Sequence, residues 1–188
     1  MENIKKDIIR VCRKLHERGL VSAFGGNVSA RFDEDKIIIT PSGFPLAEIS
    51  EKDLMIIDIN DNIVEGYHKP SSERLMHLAI YKKRSDVKAI VHTHSVIATS
   101  FACTGKNIEL ITPESQIFLK KIPLAPYKPA GTQELAEVVA EVIEDGNAAL
   151  LENHGVVVFG ENVDRAYNLA ELVEELAQIN LYVKIIRG

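Results

Sequence analysis

The chain comprises 188 residues, 46% hydrophobic and 26% charged, the composition of an ordinary globular protein long enough for one full core. Disorder, collagen-like repeats and disulfide-held miniature scaffolds are excluded. Twenty-two Lys and Arg against 27 Asp and Glu leave a formal net charge of -5, so no general basic field gathers nucleic acid or an anionic membrane, and local groups must hold any bound anion.

The N-terminal stretch Met1-Glu2-Asn3-Ile4-Lys5-Lys6-Asp7 lacks an apolar signal core, and no run approaches the roughly 18 apolar residues of a membrane span. A cytoplasmic protein with neither nucleic acid nor membrane as partner is expected. Cys12 and Cys103 stand far apart in apolar segments, match no metal or redox spacing, and read as buried thiols. No repeat, low-complexity tract or linker divides the chain, so residues 1–188 are expected to form a single domain.

Ile4, Ile8, Val11, Cys12 and Leu15 recur at helical spacing, with Gly19 as a stop. Val28 to Phe32 and Ile37 to Thr40 read as a hairpin around Asp33-Glu34-Asp35-Lys36, and Leu54 to Ile59 with Ile63 to Val64 as a second one around Asn60-Asp61-Asn62. A helix is predicted from near Ser72, carrying Leu75, Leu78, Ala79 and Tyr81, with Ser71 or Ser72 capping it. Val87 to Val91 reads as a buried strand. Two further helices carry Leu135 to Ile143 and Ala166 to Ala177, separated by the apolar runs Ala148 to Leu151 and Val156 to Phe159. Hairpins with interspersed helices predict an α/β fold with a mainly antiparallel or mixed sheet and helices on its faces. A Rossmann fold is not expected, because Gly25-Gly26 follows a helix and no G-x-G-x-x-G is present.

The sharpest chemical signal is Val91-His92-Thr93-His94-Ser95, two imidazoles two residues apart at the end of a strand, a spacing that puts both on one side. Catalytic zinc takes three protein ligands and leaves one position open. His154, between two strand candidates in Glu152-Asn153-His154-Gly155, is the third ligand candidate. His16 and His68 read as surface residues. His77 lies four positions after Glu73 on the same helix face, and packing against neighbours explains it better than ligation. Gly25-Gly26-Asn27, Thr40-Pro41-Ser42-Gly43 and Ser71-Ser72 are small-residue loops whose amides, with a helix N-terminus, suit a phosphate if they converge. Glu73 reads as a metal ligand, a general base, or a first-turn acid on the helix dipole.

Taken together, Gly26-Asn27-Val28-Ser29, Thr40-Pro41-Ser42-Gly43, Ser71-Ser72-Glu73, His92-Thr93-His94 and Asn153-His154-Gly155 resemble, in order and spacing, the zinc-dependent class II aldolase and adducin family across nearly the whole chain. The resemblance implies a three-layer αβα domain and a homotetramer with active sites near subunit boundaries. It implies one zinc ion per subunit on His92, His94 and His154, with Glu73 a fourth ligand that substrate displaces and that then acts as base. Gly26, Asn27, Ser42, Gly43, Ser71 and Ser72 fall where the family holds the substrate phosphate. The Ser-Ser-Glu triplet is similar to that of family aldolases that cleave L-fuculose 1-phosphate to dihydroxyacetone phosphate and L-lactaldehyde through a zinc-stabilised enediolate. Related family chemistries are L-ribulose-5-phosphate 4-epimerase, which usually carries Asp in place of Glu73, and methylthioribulose-1-phosphate dehydratase. The adducin head, a non-catalytic member, generally lacks the three histidines. No Lys in the site loops suits a Schiff-base aldolase. The family's tail tyrosine and aldehyde-pocket aromatics are unmatched, Thr112-Pro113-Glu114 and Pro129-Ala130-Gly131 standing in those regions, with Tyr127 and Tyr182 the nearby tyrosines.

Overall fold

The structure, a computed structural model, describes residues 1–188. It contains α1 (Glu2–Glu17), β1 (Asn27–Arg31), β2 (Lys36–Ile39), β3 (Met55–Asp58), β4 (Ile63–Glu65), α2 (Arg74–Lys83), β5 (Ala89–Thr93), α3 (Val96–Cys103), α4 (Pro113–Phe118), β6 (Leu124–Ala125), α5 (Gln133–Val142), β7 (Ala148–Leu151), β8 (Gly155–Gly160) and α6 (Val163–Arg187). One eight-stranded sheet runs in the order β4-β3-β2-β1-β5-β8-β7-β6. All neighbours are antiparallel except β6 and β7, which are parallel. The mixed, mainly antiparallel α/β fold expected from the hairpins is therefore the fold observed.

Alternation along the strands builds two cores. Val28, Ala30, Ala89 and Val91 face α1, α3 and α6, whereas Ile37, Ile39 and Ile90 face α2 and α5. The sheet thus lies between two helical layers. Ile8, Val11, Cys12 and Leu15 of α1 are buried as their spacing requires. Arg10 pairs with Asp164 and Arg18 with Glu171, tying α1 to α6 across solvent-exposed contacts that add little to stability. No helix is long and apolar enough to cross a membrane.

Both predicted hairpins form, β1 with β2 and β3 with β4. The helix expected from near Ser72 starts at Arg74, because Ser71 Oγ accepts from the Glu73 amide (3.2 Å) and spends that turn as a separate cap. The strand expected at Val87 to Val91 runs from Ala89 to Thr93, so His92 lies within it. Cys12 is buried, but Cys103 is exposed at the last residue of α3, a correction to the reading of two buried thiols. His16 is exposed, whereas His68 is half-buried with Nε2 3.1 Å from Asp53. The periodicity does not reveal α3, whose Val-Ile-Ala-Thr run is β-branched and apolar without a polar face. For α4 a signal is present, since Thr112 caps it by accepting from the Ser115 amide and Pro113 opens it.

Candidate metal and anion site

Strands β5 and β8 are neighbours at the middle of the sheet, with His92 opposite Val157 and Thr93 opposite Val156. His92 is fully buried near the end of β5, His94 follows it, and His154 immediately precedes β8. One ring nitrogen from each lies within 4.8 Å of the others. The Nδ1–H of His92 donates to the Val156 carbonyl at 2.9 Å. A carbonyl only accepts, so this bond fixes the His92 tautomer and leaves a bare lone pair on Nε2, as metal-binding histidines favour when their other ring nitrogen donates to a carbonyl. That Nε2 stands 2.9 Å from Nε2 of His94.

All three rings are held neutral. Burial, reinforced by His154 and His94, pushes His92 well below its usual value. Burial also lowers His94, and burial with the nearby His94 takes His154 down to about 4. His154 Nδ1 is buried without a hydrogen-bond partner. An orphaned buried nitrogen is costly unless something engages it. Three neutral imidazoles, one with its tautomer fixed outward, form a donor set that fits a divalent cation such as zinc.

Glycines let the backbone come this close. A Cβ on Gly155 would lie 2.5 Å from the Thr93 carbonyl and 2.8 Å from His94 Cδ2. Gly155→Ala is therefore expected to push β8 off the histidines, at a cost of about 1–3 kcal/mol for overpacking and with loss of cation affinity. Calorimetry and a cation titration check both. Gly26 adopts φ +80°, and a Cβ there would lie 2.8 Å from the His92 carbonyl, which explains a glycine immediately before Asn27. Glu174 of α6 accepts from the Ile97 and Ala98 amides (3.0 and 2.9 Å), capping α3 and steadying the segment that follows His94. Nothing local in the sequence connects Glu174 with these amides.

The three small-residue loops lie side by side. Thr40 exchanges hydrogen bonds with Val28, its amide donating to the Val28 carbonyl and its Oγ1 accepting from the Val28 amide. The Ser71 amide donates to the Thr40 carbonyl, and the Ser42 amide to the Lys69 carbonyl. Asn27 is buried, whereas Ser42, Gly43 and Ser72 are open to solvent. Glu73 follows, 6% exposed. Burial pushes its carboxyl up to about 7, opposed by the Gly131 amide directed at it. The carboxylate stands outside the set of three histidines, and its Oε2 is buried without a partner. The 129–131 turn thus bears on the site through a backbone amide, which has no side-chain signature in the sequence. His77 is not in the metal-competent group; its Nδ1 lies 2.7 Å from Ser29 Oγ.

The sequence matches the family described as "Class II Aldolase and Adducin N-terminal domain" over residues 6–181. It is 46% identical to the "L-fuculose phosphate aldolase" of Methanocaldococcus jannaschii, over 94% of this chain and 95% of that one. It is 44% identical to the protein of the same name from Methanococcus maripaludis, over 93% and 94%. Among solved structures, an "L-fuculose 1-phosphate aldolase" superposes with a TM-score of 0.95 at 37% identity, covering all of this chain and 89% of that one.

Proposed function

Because the chain belongs to the class II aldolase and adducin family and the relatives above are aldolases, we propose that it is a zinc-dependent aldolase that cleaves L-fuculose 1-phosphate reversibly to dihydroxyacetone phosphate and L-lactaldehyde. The observation that carries this reading is the gathering of three neutral histidine nitrogens within 4.8 Å at the meeting of β5 and β8. The arrangement belongs to one catalytic domain, working in the cytoplasm as a homotetramer with one zinc ion per subunit.

His92, His94 and His154 would hold the cation, with Glu73 as a fourth ligand at rest. When bound, the cation supplies Lewis-acid chemistry, polarising a carbonyl and stabilising the negative charge that develops beside it. The remaining tasks fall to side chains and amides of the chain. Asn27, Ser42, Gly43, Ser71 and Ser72 hold the phosphate, with Gly26 in the supporting turn, and short-range donors do this despite the acidic surface. Holding the phosphate fixes which carbon faces the carboxylate. Glu73, with its carboxyl near 7, exchanges a proton with that carbon at neutral pH, where a base of this strength is effective. The nearby Gly131 amide favours the charged form of that carboxylate.

Purified protein loaded with zinc should release dihydroxyacetone phosphate from L-fuculose 1-phosphate and resist borohydride trapping. Epimerised pentose phosphate as the sole product would replace this reading with the epimerase one. Ser72→Ala is expected to raise KM for the phosphorylated substrate by about 10-fold or more, the scale of one lost hydrogen bond to a charged group, with a smaller change in kcat. Steady-state kinetics with the same substrate measure it.

A further inference from the structure

Beside the histidines, β1 and α2 face each other through polar residues. Asn27, Ser29 and Arg31 alternate on one face of β1, and Glu73, His77 and Tyr81 recur every four residues at the start of α2 and along it. Ser29 Oγ lies 2.7 Å from His77 Nδ1 and 2.8 Å from Tyr81 OH. Arg31 continues the line, donating to the Tyr81 carbonyl. Ser29, His77 and Tyr81 are at most 1% exposed. Four atoms of this stripe are buried with no partner: Asn27 Oδ1, Arg31 Nε, Glu73 Oε2 and His77 Nε2; those of Asn27, Glu73 and His77 lie toward the site end.

The proton count gives the chain a direction. Ser29 is the sole hydrogen-bond partner of the Tyr81 hydroxyl, so the phenolic proton must go to Ser29 Oγ or be stranded in the core. Ser29 then gives its own proton to His77 Nδ1. A buried imidazole without a carboxylate partner is neutral, so its remaining proton sits on Nε2. The opposite order, from His77 Nδ1 through Ser29 to Tyr81, strands the tyrosine proton. The tyrosine, serine and histidine therefore deliver one donor, Nε2–H, toward the site end of the stripe. There Asn27, one strand repeat beyond Ser29 and opposite His92 in the sheet, has an unpartnered carbonyl oxygen.

We infer that His77 is a positioning residue: its Nε2–H and Asn27 Oδ1, both without a partner here, pair when the substrate phosphate is bound, which fixes the carboxamide with its NH2 group turned outward as a donor to that phosphate. The inference rests on the phosphate reading of Asn27 given above. A carboxamide turned the other way presents oxygen to an anion, so the orientation decides whether Asn27 attracts or repels it. Glu73 Oε2 is the competing acceptor, and the two assignments differ in kinetics: support of Asn27 is felt in phosphate affinity, support of Glu73 in turnover.

The tautomer is read directly by two-bond 1H–15N correlation on histidine-labelled protein, expected to show His77 protonated at Nε2; protonation at Nδ1 overturns the inference. His77→Leu, in protein whose circular dichroism and melting remain cooperative, is expected to weaken inhibition by inorganic phosphate and raise KM about 10-fold, the scale of one such bond, with kcat within about threefold. His77→Gln, which keeps an amide donor near the Nε2 position, should recover most of the affinity. In an Asn27→Ala background His77→Leu should change phosphate affinity no further. Unchanged phosphate affinity, or a loss confined to kcat, overturns the role. If the core does not accept leucine, Tyr81→Phe keeps the ring and removes the proton that orients the chain, so the His77 signal should become a mixture of tautomers. A Tyr81→Phe protein with His77 still wholly protonated at Nε2 overturns the relay. Wild-type protein that binds neither inorganic phosphate nor dihydroxyacetone phosphate overturns the phosphate reading and this role with it. Failure of His77 alone leaves wild-type binding intact.

Discussion

Glu73→Gln is expected to lower kcat by about 100- to 10,000-fold, the contribution of a positioned general base, while substrate affinity changes little and the protein folds. Glutamine preserves the shape of the side chain but cannot take a proton. The same substitution should make the metal-free protein more stable at pH 8. Burial raises the Glu73 carboxyl from 4.5 to about 7, so the folded state holds the proton more tightly than the unfolded chain. Stability then falls as pH rises between those values, and above about 7 the full penalty is present, about 3 kcal/mol at 1.36 kcal/mol per unit. Removing the ionisable group removes the penalty at pH 8 and changes nothing below pH 4. Melting curves of both metal-free proteins at pH 4 and pH 8 provide the comparison. A Glu73→Gln enzyme with full turnover would exclude Glu73 as the base.

Chelation is expected to abolish release of dihydroxyacetone phosphate and to lower the melting temperature, and added zinc should restore both. A cation at about 1,000 times its dissociation constant contributes about 4 kcal/mol, which corresponds to a shift of about 10 °C for a chain of this size. His154→Ala should behave as permanently chelated protein, inactive with or without zinc and showing no zinc-dependent melting shift. Affinity for the cation should fall as pH drops toward 4, because protonation of His154 at about 4 removes a lone pair that the ion needs. Activity that survives exhaustive chelation, with no bound metal by elemental analysis, would exclude the metal-dependent reading.

The parts of this structure that sequence makes legible are those written in local periods. The hairpins of β1 to β4 alternate apolar residues between turn-forming Asp and Asn, and α1 repeats its apolar residues at helical spacing, so each segment announces its own conformation. His92, His94 and His154 are visible as candidates because a strand end and a following glycine restrict where the rings can go. Other features depend on partners distant in sequence. Glu174 caps α3 from α6, and Gly131 meets Glu73 through a backbone amide with no side-chain signature. Asn27, Ser29 and Arg31 on β1, like Glu73, His77 and Tyr81 on α2, have the spacing of a solvated face. Only the packing of strand against helix turns two apparently wet faces into one buried stripe. Cys103 errs in the opposite direction: an apolar neighbourhood in sequence proved to be the exposed final residue of a helix.

The pairing of β5 with β8 has a consequence for how the protein comes together. His92 reaches its carbonyl partner Val156 across 64 positions of chain, with α3, α4, β6, α5 and β7 intervening. Such a junction must meet its loop entropy before its contacts contribute. A nascent or partly unfolded chain in which β1 to β5 have already paired presents two histidines and no third, and so holds a cation weakly. If the three histidines hold the ion, tight loading requires that β5 and β8 have already paired. The fraction of molecules carrying metal then counts those in which this long-range connection has been made.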